Sequence, residues 1–314
     1  MSAQQLADRA LLNLGKGLKE SGYRFVTPTP LTHERVYRRL ATPLAMNLRD
    51  VFGLSMPFEH DLLPAAFRDE LQQADVIEKH DALWRSTVRW SSLGDLLFAH
   101  SPYPTTQADA VFFGPDSYRF AQVIQVHLQQ RFEPIKCAVD IGCGAGVGAL
   151  VIAQSRHDAQ VLAVDINPRA LRMTAVNAEL AGLDNVRVYQ SDLLASLDGT
   201  FDLIVANPPY MNDDRQRAYR HGGGALGEHL SVRIVGESLG RLTLGGSLVL
   251  YTGVAMVAGG DPFLEAVEPL LASDAFGWTY RELDPDVFGE ELDKPGYERV
   301  ERIAVVALTV TRLR

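Results

Sequence analysis

Four consecutive residues, Asn207, Pro208, Pro209 and Tyr210, carry the most specific chemistry in the chain. They follow an apolar run, residues 201–206, that reads as a strand. Two prolines cannot continue a strand ladder, so the chain must leave the sheet at this point. Asn207 then stands at the carboxyl edge of the strand. Its amide oxygen and the Pro208 carbonyl are two acceptors able to converge on one NH2 group, and Tyr210 offers a flat face for the planar group behind that nitrogen. An amide or aniline-type nitrogen is a poor nucleophile because its lone pair is delocalised. Two acceptors gripping its hydrogens hold it in line with an electrophilic carbon and stabilise the positive charge that grows on it. The chemistry is positioning plus electrostatics, with no covalent intermediate and no strong base at the first step.

Such a nitrogen needs an electrophile beside it. Residues 140–146, Asp-Ile-Gly-Cys-Gly-Ala-Gly, end a strand at 138–141 and lead into a helix, where a ligand of an open α/β sheet binds. Gly142, Gly144 and Gly146 remove Cβ atoms and permit unusual φ. A dinucleotide fingerprint would place its third glycine where Val147 stands. The spacing therefore suits a nucleoside ligand without a pyrophosphate and counts against a dehydrogenase. Asp165 ends the next strand, 160–166, and can accept from both ribose hydroxyls, while Asn167 and Pro168 read as the N-cap and first residue of a helix. After the strand 186–190, Asp192 can accept from an adenine amino group, with Leu193 and Ile166 flanking the ring.

One other constellation competes. His221-Gly-Gly-Gly224 resembles an esterase oxyanion loop, and residues 236–240 match G-x-S-x-G around Ser238. A serine hydrolase needs that serine on a strand-to-helix turn with its histidine later in the chain. Ser238 falls inside an expected helix, and all eight histidines precede it, the last being His229. The glycine stretch is expected instead as a mobile loop over the acceptor pocket.

The elements that must hold these groups alternate from about residue 109. Strands are expected at 138–141, 160–166, 186–190, 201–206, 247–252, 278–283 and 303–311, with helices at 147–155, 168–181, 228–242 and 262–273. Alternation implies a parallel sheet covered on both faces; the last strand is expected to enter it antiparallel. Before residue 105, short helices are expected at 32–40, 44–52 and 65–74, and Leu6, Ala10, Leu14 and Leu18 recur at helical spacing. Strands at 82–90 and 95–100 are expected to form a hairpin, so the N-terminal part reads as a winged-helix-like module.

With 314 residues, 46% apolar and 22% charged, the chain has the composition of a soluble globular protein. No signal peptide and no membrane-spanning run is read, and a cytoplasmic protein is expected. Cys137 and Cys143 lack the partners of a zinc site and are expected as buried, reduced thiols. The net charge of −9 is uneven: eight Lys/Arg against five Asp/Glu leave residues 1–60 at +3 and the remainder at −12. An acidic catalytic part argues against broad phosphate binding. Arg35, Arg38, Arg39 and Arg49 read either as a solvated helix face or as a small patch for structured RNA.

Taken together, DIGCGAG (140–146), VDINPRAL (164–171), SDLL (191–194) and NPPY (207–210) resemble the class I, Rossmann-like S-adenosylmethionine methyltransferases with an N-P-P-Y signature. The likeness is to the HemK-like protein-glutamine methyltransferases and the related small-domain base methyltransferases, and residues 222–235 are similar to that family's glycine-bearing loop entering a helix. The resemblance implies a seven-stranded, mostly parallel sheet in a catalytic domain, 109–314. The first 105 residues do not match that family's usual N-terminal domain, and it is their own pattern that reads as a smaller, mainly helical domain, 1–108, expected in substrate recognition. The resemblance also implies S-adenosylmethionine bound by Gly142, Gly144, Asp165 and Asp192; Asp140 and Gly146 of the same loop, with Ile166 and Leu193 beside the ring, complete the expected set. Tyr118 and Arg119 join that set because the segment 113–119 stands where the family's upstream cofactor-contacting segment does. Asn207, Pro208, Pro209 and Tyr210 would hold the acceptor nitrogen, with no metal. The expected acceptor is a macromolecule: a protein glutamine, as in a release factor, or an amino group of a base in structured RNA, with a small molecule as the lesser alternative. A non-catalytic S-adenosylmethionine-binding module is the reading of a different class.

Overall fold

The computed structural model describes the chain except at Met1, Thr42, Phe132, Asp214, Arg215, Gln216 and Ala218. Helix α1 (Ala3–Glu20) begins in a capping box: the Ser2 hydroxyl accepts from the Gln5 amide, and the Gln5 side chain accepts from the Ser2 amide. Ala10, Leu14 and Leu18 of the expected stripe are buried, whereas Leu6 is exposed. Helices α2 (Pro30–Arg38), α3 (Leu48–Phe52) and α4 (Ala65–Gln73) follow, and Asn13 of α1 donates to Glu70 of α4.

The single hairpin expected next is two. β1 (Ile77–His80) pairs with β2 (Leu83–Ser86), and β3 (Arg89–Leu93) pairs with β4 (Leu96–His100), both antiparallel. The apolar run 82–90 breaks because the Ser86 hydroxyl takes local partners: it donates to the Val88 carbonyl and accepts from the Val88 amide, turning the chain between the two sheets.

Helix α5 (Pro115–Gln130) was not among the expected elements; it buries Phe120, Ile124 and Leu128 at helical spacing. Beyond it, β5 (Cys137–Ile141), α6 (Val147–Ser155), β6 (Gln160–Asp165), α7 (Pro168–Ala181), β7 (Val186–Gln190) and β8 (Phe201–Ala206) form the parallel half. Helix α8 (His229–Leu239), β9 (Leu242–Val257), α9 (Pro262–Leu271), β10 (Phe276–Asp284), a 3-10 turn (Gly289–Glu291) and β11 (Val300–Arg312) complete it. The seven-stranded sheet runs β10-β11-β9-β8-β5-β6-β7, with β11 antiparallel to both neighbours and the β5, β6, β7, β8 and β9 pairings parallel. This is the expected Rossmann-like architecture.

Alternate side chains of each strand sort onto two cores. Ala138, Val205 and Val249 pack with α5, α6 and α7, while Val139, Ile204 and Leu248 pack with α8 and α9. Leu11, Phe52, Trp90 and Phe98 from the N-terminal part belong to the first of these cores. Helix α1 rides so closely on α7 that a Cβ at Gly15 would stand 2.6 Å from Leu180 Cδ2 and 2.8 Å from Trp90 Cη2. Lys19 donates to the Leu180 carbonyl at 3.0 Å. Buried Asn177 of α7 donates to the Ala99 and Ala145 carbonyls and accepts from the Ala99 amide, so it ties β4 to the glycine loop after β5. Among the described residues, no helix is long and apolar enough to cross a membrane, and no group of three His, Cys, Asp or Glu is placed to hold a metal. Cys137 and Cys143 are free thiols, the second buried.

Candidate active site

The carboxyl ends of β5, β6, β7 and β8 open into one cavity of about 480 Å³. Its wall holds Asp140, Gly142, Gly144, Asp165, Ile166, Asp192, Leu193, Arg119 and the whole tetrapeptide from Asn207 to Tyr210. Most residues singled out from the sequence therefore meet in one place, although they span nearly a hundred positions.

At the end formed by β5 and β6, Gly142 and Gly144 take φ of +66° and +55°, which L side chains rarely adopt. Asp165 closes the loop. One carboxylate oxygen accepts from the Gly144 amide at 3.0 Å and the other from the Asn167 amide at 2.9 Å. Burial raises its pKa, opposed by those amide donors. Each oxygen retains a further lone pair for a ligand hydroxyl. Asn167 caps α7 as expected, accepting from the Arg169 amide. Ile166 is exposed along the wall, and Asp192 lies opposite Arg233 at 3.4 Å.

Three residues expected to contact the ligand also hold parts of the fold together. The Asp140 carboxylate is only 1% exposed and accepts from the Ala149 amide at 2.8 Å, at the amino end of α6. Desolvation pushes its pKa up to about 7. Gly146 is the α6 N-cap at φ +85° and is not on the cavity wall; a Cβ there would fall 2.8 Å from Thr174 Cγ2. The Tyr118 hydroxyl accepts from the Thr27 amide, and its ring meets Phe113 edge-on, away from the cavity lining. The arginine cluster does not gather at the cavity: Arg35 and Arg38 of α2 and Arg39 just after it are exposed, Arg38 pairs with Glu34, and Arg49 lies over the Phe25 ring.

At the β8 end, Asn207 is half-buried in the wall and Tyr210 is 7% exposed. The Tyr210 hydroxyl donates to Asp116 Oδ2 at 2.5 Å, and the Tyr251 hydroxyl donates to Asp116 Oδ1 at 2.8 Å. Phe288 meets the Tyr210 ring edge-on. The glycine stretch expected over the pocket packs instead against the backbone of the tetrapeptide, and its residues are not on the cavity wall. A Cβ at Gly222 would lie 2.7 Å from the Pro209 carbonyl oxygen, and one at Gly227 2.1 Å from that of Tyr210. The Gly222 amide donates to the Met211 carbonyl at 2.9 Å. Ser238 is buried within α8, which removes the basis of the esterase alternative.

Sequence reasoning missed a further stretch of the wall. Phe112, Asp116, Tyr219 and Arg220 line it, as do Asp284 at the end of β10 and Asp286 and Glu290 of the β10–β11 connection. Asp116 lies within the segment 113–119 singled out from the sequence, two residues before Tyr118, but is not itself named there. The β10–β11 residues carry no local signal, because only the sheet order brings them to this edge. Arg119 is held by Asp116 at 3.3 Å and Asp284 at 2.8 Å, and Arg220 by Glu291 at 2.5 Å.

Residues 116–253 match the family model described as the methyltransferase small domain. That segment contains all four motifs on which the sequence resemblance rests. The chain is 36% identical over 165 residues to a release factor glutamine methyltransferase of Deinococcus radiodurans, covering 49% of this chain and 55% of that protein. It is 36% identical over 109 residues to a ribosomal RNA small subunit methyltransferase C of Shewanella amazonensis, covering 35% and 29%. The chain spans about half the length, or less, of these curated relatives. A crystal structure of a SAM-dependent methyltransferase from Agrobacterium tumefaciens matches with a TM-score of 0.50 at 19% identity, over 79% of this chain and 80% of that one. That likeness shows the shared fold.

Proposed function

We propose that the protein is a cytoplasmic S-adenosylmethionine-dependent N-methyltransferase acting on the side-chain carboxamide of a protein glutamine. The observation that carries the reading is the single cavity joining Gly144, Asp165 and Asp192 to Asn207 and Pro208. Asp165 and Asp192 would serve ribose and adenine at one end, and the Asn207 and Pro208 oxygens would pair on an NH2 at the other. The glycine loop and the Asp165 carboxylate fit a nucleoside donor, and the wall has room for donor and acceptor group together. S-adenosylmethionine, when bound, supplies an electrophilic methyl on a sulfonium. Asn207 Oδ1 and the Pro208 carbonyl accept the two hydrogens of the acceptor NH2 and hold its nitrogen towards that methyl. They would stabilise the charge that develops as the N–C bond forms and the methyl–sulfur bond breaks to release S-adenosylhomocysteine, and the surplus proton on the nitrogen would pass to water.

The acceptor is read as protein for two reasons. The named activity of the Deinococcus relative is methylation of a release-factor glutamine. In addition, the acceptor side of the cavity is acidic: Asp284, Asp286 and Glu290 line it, while Arg119 and Arg220 are engaged by carboxylates. Such a wall repels a phosphodiester backbone. The N-terminal part, 1–108, would contribute to acceptor recognition, since Thr29, Pro30 and Leu31 reach the cavity mouth. Methyl-labelled S-adenosylmethionine and the purified protein, added to a fractionated cell lysate, test the reading. Label recovered as N-methylglutamine from protein supports it. Label in RNA replaces the acceptor, and absence of label from every fraction overturns the enzyme reading.

A further inference from the structure

A chain that leaves a sheet through Pro208 and Pro209 has no N–H at either residue with which to anchor itself. The direction of the Asn207 carboxamide and the Pro208 carbonyl must therefore be fixed from further along the loop, and Tyr210 is the next side chain able to do it. Its ring stands against β9 at Gly253, and its hydroxyl ends on Asp116. Asp116 is 4% exposed and lies in the first turn of α5, where a carboxylate is favoured by the helix dipole. Its second oxygen accepts from Tyr251 of β9, and Arg119 bridges it to Asp284 at the end of β10. One buried carboxylate thus joins α5, the tetrapeptide loop, β9 and the wall segment between β10 and β11.

We propose that Asp116 is a positioning residue for methyl transfer. By fixing Tyr210 it sets the paired oxygens of Asn207 and Pro208, and through Arg119 it holds the acceptor-side wall at Asp284 in register with them. This rests on the methyltransferase reading above. Asp116 acts through Tyr210 and not on the reacting atoms, so removal of either partner breaks the same link. The two substitutions are non-additive, as expected for residues in one network.

The test uses the full chain and the variants Asp116→Asn, Tyr210→Phe, the double variant, and Tyr251→Phe. The last removes the other hydroxyl from the same carboxylate and leaves the tetrapeptide untouched. In steady-state assays Asp116→Asn and Tyr210→Phe are each expected to lower kcat by roughly 10- to 100-fold, the scale of a slightly misplaced reacting group. S-adenosylmethionine affinity by calorimetry should stay within about threefold, the double variant should be no slower than the worse single, and Tyr251→Phe should keep kcat within about threefold. Multiplying effects, or equal losses in Tyr210→Phe and Tyr251→Phe, overturn the proposal. The second comparison serves even if Asp116→Asn does not fold. A readout independent of turnover is the Asn207 carboxamide resonance in ligand-free protein. It should move in Tyr210→Phe and not in Tyr251→Phe, and failure to move sinks the positioning role. Wild-type protein that methylates nothing would sink the enzyme reading instead.

Discussion

The Tyr210 ring occupies the space where a side chain at position 253 would stand: a Cβ added to Gly253 would fall 2.2 Å from Tyr210 Cε2 and 2.3 Å from its Cδ2. Both partners are fixed, the ring by Asp116 and the strand by its pairing with β11. Gly253→Ala must therefore push the tetrapeptide towards the cavity. Turnover is expected to fall by roughly 10²-fold, as for a reacting group displaced by about an ångström. S-adenosylmethionine binding, measured by calorimetry, should change little, because Asp165 and Gly144 lie at the other end of the cavity. Undiminished turnover would show that the Tyr210 position does not matter.

Asn207→Ala removes one of the two oxygens assigned to the acceptor nitrogen. A partner that acts mainly in the transition state gives a loss of on the order of 10²-fold or more in kcat on removal, with cofactor affinity nearly intact. Initial rates at saturating donor, beside a binding isotherm, separate the two quantities. A variant that weakens donor binding and spares kcat would assign Asn207 to the wrong ligand.

Asp165→Ala should act in the opposite way. It strips a charged acceptor from the donor end and leaves the Gly144 and Asn167 amides without their partner. Hydrogen bonds to a charged group are worth about 1.5–3 kcal/mol, so the S-adenosylmethionine Kd should rise by roughly 10- to 100-fold. Asp165→Asn, which keeps acceptor oxygen at the site, should recover part of the loss in the same titration.

Asp140 predicts a pH dependence. Its carboxyl is raised from 3.8 to about 7 in the folded chain. Between those values the folded protein holds a proton that the unfolded chain has released, so this group's contribution falls as pH rises and levels off above about 7. His33 and His127, both pushed down to about 4, favour the folded state as pH rises through the same window. Their effect is common to wild type and variant and cancels in a difference. Melting temperatures of wild type and Asp140→Asn between pH 5 and 8, without ligand, should diverge in favour of the variant as pH rises to 7. A constant gap would mean that Asp140 is not the group.

Much of the parallel half was legible because its signals are local. Asn167 with Pro168 marks the start of α7, and the runs 186–190 and 201–206 coincide with β7 and β8. Helix α5 carries the visible spacing Phe120, Ile124, Leu128, yet its first turn reads locally as a ligand-contacting segment, which hid the helix. β9 extends well beyond the expected 247–252, since its length is set by pairing with β11 some fifty residues later. The motifs placed the cavity but not the orientation of every group in it. Asp140 turns under α6, and Tyr118 reaches back to Thr27. The Asp116 carboxylate meets hydroxyls 94 and 135 residues away, which no window along the chain can show.

The sheet order has a consequence for how the molecule is made. β11 emerges after every other strand of the sheet during translation, yet it lies between β9 and β10, and β10 pairs with no other strand. A nascent chain that has not reached it presents the apolar edge of β9 unpaired, an invitation to aggregation. Asp284 ends β10, and Asp286 and Glu290 lie between the two late strands, so synthesis completes this part of the cavity wall only once residues 300–312 have joined the sheet.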